Sequence, residues 1–293
     1  MKHLAIDIGG SFVKSGIING SELVKDRLVV KTPESYEKLI AYIAEISNRA
    51  AADSVCLAIP GVYDKVNDRM LFSPNLAYLT DKSIKTDLAA SGVSVLIEND
   101  ANLATLGEYM YGYETPPDTM ILLTLGTGVG GGIIQNGKLL TGGVTSTELG
   151  HMTLVAEGRV CGCGKRGCVE KYCSVSSILH DYHEASGDPN PKTVREVVKL
   201  YEANDFAAFA AIDLFTLHIS HAMSSLINIF VPQSIRIGGG LSEISDYFIP
   251  QAREMVDQMV FPAFRGLTDI AAAKHRNDAA LLGAAEWAKI NMR

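Results

Sequence analysis

The stretch LTLGTGVGGGIIQNG, residues 123–137, decides the fold of this chain. It reads as an apolar strand, a glycine-rich turn, a second strand and an Asn-Gly pair that favours a tight hairpin turn. Residues 6–20, IDIGGSFVKSGIING, repeat the same order of strands and turns. The likeness predicts two lobes of similar topology, each of which presents a glycine hairpin to a common ligand. Chance similarity between two β-hairpins is the alternative.

The composition indicates a globular protein that is large enough for two lobes. The chain has 293 residues, of which 47% are hydrophobic and 20% are charged. Its net charge of -7 argues against a nucleic-acid partner, because phosphate backbones require clustered Lys and Arg. The most apolar stretch, residues 206–231, contains Asp213 and His218, so we expect a buried helix rather than a membrane span. No signal-peptide pattern precedes the first strand, and we expect a cytoplasmic protein.

Strands and helices alternate along the chain, which predicts an α/β fold. Predicted strands cover residues 3–8, 14–19, 22–30, 55–59, 93–97, 121–125, 133–135, 234–237 and 268–272, and residues 126–132 are expected to form a glycine loop. Predicted helices cover residues 35–50, 101–111, 170–187, 192–201, 204–230 and 242–260, with a last one from residue 278. The proline-rich residues 115–118 are expected to link the two lobes.

The glycine motifs favour a phosphate ligand but exclude a dinucleotide-binding fold. Residues 126–131 satisfy G-x-G-x-x-G, yet a strand follows them where that fold requires a helix. A glycine hairpin can still hold phosphate, because its backbone N–H groups approach an anion without Cβ clashes. Two such hairpins, residues 7–14 and 124–132, could hold a nucleotide from both sides. Asp7 ends an apolar strand, which indicates either the Mg²⁺ of bound ATP or an ordinary salt bridge.

A cysteine cluster indicates a metal site. Cys161, Cys163 and Cys168 are separated by glycines, and His151 lies upstream of them. Three thiolates and one imidazole are a common structural zinc set. Cys173 in place of His151 would complete a four-cysteine site instead, and free cysteines are the remaining alternative.

Carboxylates lie at two places where a ligand could bind. Asn99 and Asp100 fall between a predicted strand and a predicted helix, where the loops of α/β folds gather ligands. Either residue could instead cap the helix that begins near residue 101. Glu148 and Glu170 flank the predicted zinc cluster, which would fix both carboxylates side by side, as recognition of a polyol requires. A solvated surface charge is the alternative for each of them.

Taken in order, these motifs resemble the ROK family of sugar kinases, within the hexokinase–actin superfamily. The matching segments are DIGGS (7–11), PGVYD (60–64), ENDAN (98–102), TLGTGVGGG (124–132), ELGH (148–151), the cysteine run 161–170 and GGGLS (238–242). The resemblance covers essentially the whole chain, and the cysteine run is its most specific part. It implies two actin/hexokinase-like (ribonuclease H-like) α/β lobes around a central cleft, with a structural zinc loop. The expected lobes are residues 1–115 and residues 116–278, which include the zinc loop 151–168, and helix 279–293 is expected to pack back on the first lobe.

The resemblance also implies an activity, which is the ATP-dependent phosphorylation of a hexose, most commonly glucose to glucose 6-phosphate. Asp100 would be the general base that takes the proton from the attacking hydroxyl. The sugar would contact Gly61, Asn75, Asn99, Glu148, His151 and Glu170. ATP with Mg²⁺ would contact Asp7, Gly9, Gly10, Ser11, Thr127, Gly128, Gly239 and Gly240. A structural Zn²⁺ would be bound by His151, Cys161, Cys163 and Cys168, and the second ring nitrogen of His151 would face the sugar.

Two departures from the family pattern bear on the substrate. Ser11-Phe12 stands where the family often has Thr followed by Lys or Asn, and Ser146-Thr147 stands where Ala-Gly is usual. The second departure leaves N-acetylmannosamine, N-acetylglucosamine, fructose and allose as alternatives to glucose. The family also contains transcriptional repressors with a helix-turn-helix ahead of the first strand. That strand begins here at residue 3, so we expect a kinase, with a non-catalytic sugar-binding regulator as the alternative. A homodimer is expected from the family alone.

Overall fold

Two five-stranded sheets form the centres of the two lobes. The computed structural model describes residues 2–19, 22–145, 147–275 and 278–292. The first sheet consists of β1 (His3–Ile8), β2 (Phe12–Asn19), β3 (Glu22–Lys31), β4 (Ser54–Ile59) and β7 (Ser94–Asn99), and a separate hairpin consists of β5 (Val62–Asp64) and β6 (Arg69–Phe72). The second sheet consists of β8 (Met120–Leu125), β9 (Val129–Gln135), β10 (Lys138–Leu139), β11 (Ser234–Gly238) and β12 (Asp269–Ala272).

The two sheets have the same topology. Their strand orders are β3-β2-β1-β4-β7 and β10-β9-β8-β11-β12. In each sheet the first three strands are antiparallel and the last two run parallel to the central strand. This confirms the two similar lobes that the repeated hairpin pattern predicts. The tight turn at Asn136 and Gly137 is also confirmed, with positive φ angles of 52° and 72°, whereas the matching Asn19-Gly20 turn extends outside the described residues.

The helices pack around these sheets. They are α1 (Tyr36–Ala50), α2 (Ile84–Leu88), α3 (Asp100–Tyr111), α4 (Val175–Ser186), α5 (Val194–Glu202), α6 (Phe206–Phe230), α7 (Ile249–Met259) and α8 (Ala279–Asn291). The helix predicted from residue 170 begins later, because Ser174 caps α4 through its own side chain. The single helix predicted over 242–260 is wrong. A 3₁₀ segment ends at Tyr247 and α7 starts afresh with Pro250 in its first turn, where the missing N–H is tolerated.

The glycine run is a strand over most of its length. The predicted loop 126–132 is wrong beyond residue 128, since Gly130, Gly131 and Gly132 pair with β8 inside β9. A Cβ on Gly131 would lie 2.5 Å from the carbonyl oxygen of Leu122, and one on Gly132 would overlap the Thr105 side chain of α3. Gly130 and Gly132 therefore allow α3 to pack directly on β9, whereas Gly131 leaves space for the backbone of Leu122. Only residues 126–128 form the loop.

Helix α6 is the one helix of the described residues that is long and apolar enough to cross a membrane. Half of its most apolar window is buried inside the protein. Phe215, Ile219 and Met223 belong to the core of the second lobe, where α6 packs against α4, α5 and α7. These contacts agree with the buried helix that the sequence predicts.

Helices α3 and α8 cross between the two sheets. A Cβ added to Gly107 would overlap the backbone of Ala279, and one added to Gly283 would overlap the carbonyl oxygen of Leu103. One small apolar cluster joins α8 to β1 and β4, and a second joins α3 and the start of α8 to β8 and β9. The helix pair therefore fills the space between the sheets. The exact lobe limits near residues 115 and 278 stay a prediction.

Substitution Gly283→Ala should therefore destabilise the fold. The added methyl group has no room against the Leu103 carbonyl, so the two helices must separate. We expect the free energy of unfolding to fall by at least about 2 kcal/mol in urea denaturation. Gly162→Ala is the matched control, because its Cβ would meet no atom within 4 Å. Equal stability of Gly283→Ala and the wild type would contradict this packing.

Candidate active site

A cleft with a volume of about 530 Å³ lies between the two lobes at the start of α3. It collects most of the site residues that the sequence predicts. Those that line it are Asp7, Gly61, Asn75, Asn99, Asp100, Thr127, Gly128, Glu148, His151, Cys163, Glu170 and Gly239. Those that do not line it directly are Gly9, Gly10, Ser11, Cys161, Cys168 and Gly240. The structure thus brings residues from distant parts of the chain to one place.

Asp100 is the first residue of α3 and faces this cleft. Burial and, second to it, the negative charge of Asp7 together raise the pKa of Asp100 to about 6. Burial also raises the pKa of Asp7, although Lys14 Nζ lies 3.4 Å from its Oδ2 atom. The salt bridge that was the alternative explanation for Asp7 is therefore present. A carboxylate whose pKa is near neutrality is well suited to accept a proton from a bound hydroxyl.

Asn99 is the N-cap of α3. Its Oδ1 atom accepts hydrogen bonds from the backbone N–H groups of Ala101 and Asn102, which confirms the capping alternative for this residue. Its Nδ2 atom donates to the carbonyl oxygen of Gly61 at 3.2 Å. Gly61 has a φ of +112°, and a Cβ there would overlap the backbone of Phe72. One N–H of the Asn99 amide remains for a ligand.

The wall of the cleft that the second lobe forms carries the predicted hydroxyl-binding residues. His151 Nε2 lies 3.9 Å from Glu148 Oε2, and its Nδ1 atom lies 3.8 Å from Cys161 Sγ. Burial raises the pKa of Glu148. The backbone N–H of Val129 donates to Glu170 Oε2 at 3.1 Å. The carboxylates of Glu148 and Glu170 thus line the same wall, and their charges interact.

Four possible metal ligands lie together beside this wall. The ligand atoms of His151, Cys161, Cys163 and Cys168 are all within 4.8 Å of one another. The Sγ atoms of Cys163 and Cys168 are 3.7 Å apart, close to the roughly 3.8 Å edge of a tetrahedron with Zn–S bonds of about 2.3 Å. Cys173 lies outside the group, fully buried in the apolar core of the second lobe. The donor set and its spacing therefore fit Zn²⁺, with His151 rather than Cys173.

Two glycine turns lie near the cleft, the β1–β2 turn and the turn at Gly239, of which Gly239 lines it. In the β1–β2 turn, the N–H of Gly9 donates to the carbonyl oxygen of Phe12 at 2.9 Å. Gly10 lies beside Asn75, since a Cβ on Gly10 would be 3.6 Å from that of Asn75. Gly239 has a φ of +75° and starts the 3₁₀ segment in which Gly240 follows. These backbone turns leave room for a ligand to approach the main chain.

The sequence analysis missed part of the cleft. Pro60, Val62, Phe72 and Pro74 line it from the first lobe and form an apolar wall. The β5–β6 hairpin that carries Val62 and Phe72 was not predicted, because its strands are three and four residues long. The two prolines that bracket the hairpin are the one signal in the sequence for it. Thr147 also lines the cleft, while Ser146 lies outside the described residues.

Comparisons with known proteins agree with this geometry. The chain is 32% identical to the glucokinase of Thermotoga maritima, over 99% of this chain and 98% of that protein. It is 30% identical to the N-acetyl-D-glucosamine kinase of Escherichia coli O1:K1, over 97% and 98% of the two chains. The crystal structure of a ROK family glucokinase from Streptomyces griseus in complex with glucose and AMPPNP superposes with a TM-score of 0.83 at 26% identity, covering 99% of this chain and 100% of that one. The sequence profile of the ROK family matches residues 3–291, and the chain belongs to this family.

Proposed function

We propose that this protein transfers the γ-phosphoryl group of ATP to glucose, forming glucose 6-phosphate, with Asp100 as the general base. The coarser assignment, an ATP-dependent sugar kinase, rests on family membership and on full-length kinase relatives. The observation that carries the proposal is the position of Asp100 in the cleft. Its carboxylate, with a pKa raised to about 6, lines the same cleft as Glu148, Glu170 and the glycine turn at Thr127 and Gly128.

The proposed sugar contacts come from both lobes. Glu148, His151 and Glu170 bind hydroxyl groups from the second lobe, and the free N–H of Asn99 binds one from the first. The remaining contacts are made by Gly61 and Asn75. Glucose in this position lies against the apolar wall of Pro60, Val62, Phe72 and Pro74 with one of its C–H faces.

The proposed nucleotide contacts are mostly backbone groups. Gly9, Gly10 and Ser11 from the first turn, and Thr127 and Gly128 from the second, bind the phosphates. Gly239 and Gly240 lie against the adenosine. Asp7 would hold the Mg²⁺ that accompanies ATP and neutralises charge on the phosphates. Burial raises the pKa of Asp7 although Lys14 lies beside it, so a divalent cation would further stabilise its charged form.

The reaction requires little covalent chemistry from the protein. The sugar hydroxyl gives its proton to Asp100 while its oxygen forms a bond to the γ-phosphorus, and the bond from that phosphorus to the β–γ bridging oxygen breaks. ADP leaves with the electron pair. Because the cleft lies between two lobes, their closure would exclude water, which otherwise competes as phosphoryl acceptor.

A structural Zn²⁺ is proposed on His151, Cys161, Cys163 and Cys168. Its role is to fix the loop that carries these residues, and with it the second nitrogen of His151 toward Glu148. We also infer a cytoplasmic location, where ATP is abundant and thiolates stay reduced. A homodimer is proposed on the family pattern alone, to be tested by light scattering.

The apolar wall also fits a second sugar, N-acetylglucosamine. Its acetyl group ends in a methyl group, which glucose lacks and which would contact Phe72 or Val62. The N-acetyl-D-glucosamine kinase of Escherichia coli O1:K1 is 30% identical to this chain, close to the 32% of the Thermotoga maritima glucokinase. This alternative shares every proposed role of Asp100 and of the glycine turns.

The substrate is tested by ADP release from Mg-ATP with a panel of sugars. The panel contains glucose, N-acetylglucosamine, N-acetylmannosamine, fructose, mannose and allose, with zinc-replete protein. We expect the highest kcat/KM with glucose. Faster turnover of N-acetylglucosamine would replace glucose by the alternative, and no turnover of any sugar would contradict the kinase assignment.

Asp100→Asn should remove catalysis and leave the fold intact. We expect kcat to fall by roughly 10²–10⁴-fold, because the hydroxyl loses its proton acceptor, with sugar affinity changed by less than about threefold.

The folded state raises the pKa of Asp100, so the charged carboxylate costs stability at pH values above about 6. Thermal unfolding of Asp100→Asn at pH 7 should therefore occur at a higher temperature than that of the wild type.

Wild-type kcat/KM should fall as the pH drops through about 6, since protonated Asp100 cannot accept a proton.

Cys163→Ser should lose zinc and weaken sugar binding together. The remaining ligands hold the ion less tightly, so the loop beside Glu170 and His151 loses its fixed geometry. Zinc content is measured by atomic absorption and sugar affinity by calorimetry. Cys173→Ala is the matched control and should retain about one zinc per chain, because Cys173 lies outside the cluster. Unchanged zinc content in Cys163→Ser would refute this ligand set.

A further inference from the structure

One buried carboxylate beside the site has no part in the proposed chemistry. Glu98, in β7, is fully buried. Its Oε1 atom accepts hydrogen bonds from the backbone N–H of Asn99 and from Asn102 Nδ2, both at 3.0 Å. Its Oε2 atom accepts from Lys65 Nζ at 2.5 Å and from the Thr141 hydroxyl at 3.0 Å. A carboxylate has about four lone-pair positions, so all of them are used.

These partners connect Glu98 to the segment that leads to Glu148. Within the described part of that segment, residues 141–145 and 147–148, Thr141 stands at the start and binds Glu98 directly. Near its end, the Thr147 hydroxyl donates to Asn102 Oδ1 at 2.6 Å. Since Asn102 in turn donates to Glu98, both ends of the segment depend on one carboxylate.

The middle of the segment is bound to the hairpin of the first lobe. The backbone N–H of Lys65 donates to the Gly143 carbonyl, and the N–H of Thr145 donates to the Tyr63 carbonyl, both at 2.8 Å. The N–H of Tyr63 also donates to Thr145 Oγ1 at 2.9 Å. The segment therefore crosses from the second lobe to the first and pairs with β5 there.

We propose that Glu98 is a positioning residue that fixes the distance between Glu148 and the Asn99–Asp100 pair. The proposal rests on the proposed function, in which Glu148 binds the sugar and Asp100 accepts its proton. Burying an ion pair stabilises a fold less than packed apolar side chains of similar volume do. The pair of Glu98 with Lys65 is therefore better explained by the geometry that it imposes on two walls of one cleft.

This inference gives Thr147 a role. The Thr147 hydroxyl donates its one proton to Asn102 Oδ1 at 2.6 Å, and the Gly131 carbonyl oxygen lies 3.2 Å from the same hydroxyl, so Thr147 supports the segment. A change of this hydroxyl should affect sugar binding rather than nucleotide binding, because the segment carries Glu148 and none of the phosphate-binding turns.

The first test compares Thr147→Val with Thr147→Ser. Valine keeps the shape of threonine but leaves Asn102 Oδ1 buried without its donor, whereas serine keeps the hydroxyl. We expect Thr147→Val to raise the KM of the sugar roughly tenfold and to change the KM of ATP less than about twofold. Thr147→Ser should recover most of the sugar affinity. An unchanged sugar KM in Thr147→Val would overturn the proposal.

The second test compares two buried glutamates. Glu98→Gln places an amide donor against one set of donors, either Lys65 and Thr141 or Asn99 and Asn102, and should raise the sugar KM at least about tenfold. Glu108→Gln is the matched control. Glu108 is also fully buried, but it accepts from the backbone N–H groups of Lys274 and His275, away from the segment. Both variants should lower the melting temperature, and only Glu98→Gln should raise the sugar KM relative to that of ATP.

Amide hydrogen exchange of residues 141–148 gives a readout that needs no sugar. Exchange should be faster in Thr147→Val and Glu98→Gln than in the wild type, and unchanged in Glu108→Gln. Slow exchange in all three variants would overturn the proposal, as would fast exchange with an unchanged sugar KM. If the wild type phosphorylates no sugar while exchange still depends on Thr147 and Glu98, the network stands and the proposed function fails.

Discussion

The contact of two helix backbones at Gly107 and Gly283 holds the rest of this structure in place. Because neither residue has a side chain, α3 and α8 approach until backbone meets backbone, and the pair fits between the two sheets. Helix α3 starts at Asp100, so its closely packed middle determines where its first turn lies. Helix packing two turns away therefore helps to set the position of the proposed base, together with the Asn99 cap at the start of α3.

Carboxylates in this cleft serve different purposes because their surroundings differ. Asp100 and Asp7 both line the cleft, and removal from solvent raises the pKa of both. Glu98, beside the cleft, is fully buried and receives four hydrogen bonds, including one from an ammonium group. With every lone pair occupied, Glu98 has no position left for a substrate proton. The neighbouring side chains thus separate a group that can react from one that can only hold others in place.

Local pattern predicted much of this fold, and long-range contact decided the rest. The repeated hairpin signal predicted both sheets, since alternating apolar residues and Asn-Gly turns act within a few positions. The same local pattern misjudged Gly130 and Gly132, because the side chains that leave no room for a Cβ there belong to α3, nearly thirty residues earlier in the chain. Spacing alone also left Cys173 as an alternative to His151 for the fourth metal ligand. Cys173 lies in the apolar core of the second lobe, outside the cluster of ligand atoms. In the sequence, Thr147 was only a departure from the family pattern beside the site. Nothing in the sequence indicated its hydrogen bond to Asn102.

The two walls of the cleft restrict how a hexose can lie in it. Pro60, Val62, Phe72 and Pro74 offer no hydrogen bond from their side chains, whereas Glu148 and Glu170 require donors. A pyranose has C–H faces and a rim of hydroxyls, so its rim must turn toward the second lobe and one face toward the first. In the proposed reaction, Asp100 accepts the proton of the hydroxyl that this orientation brings to it. The phosphorylated position then depends on the distance from Asp100 to Glu148, which is the distance that we propose Glu98 fixes.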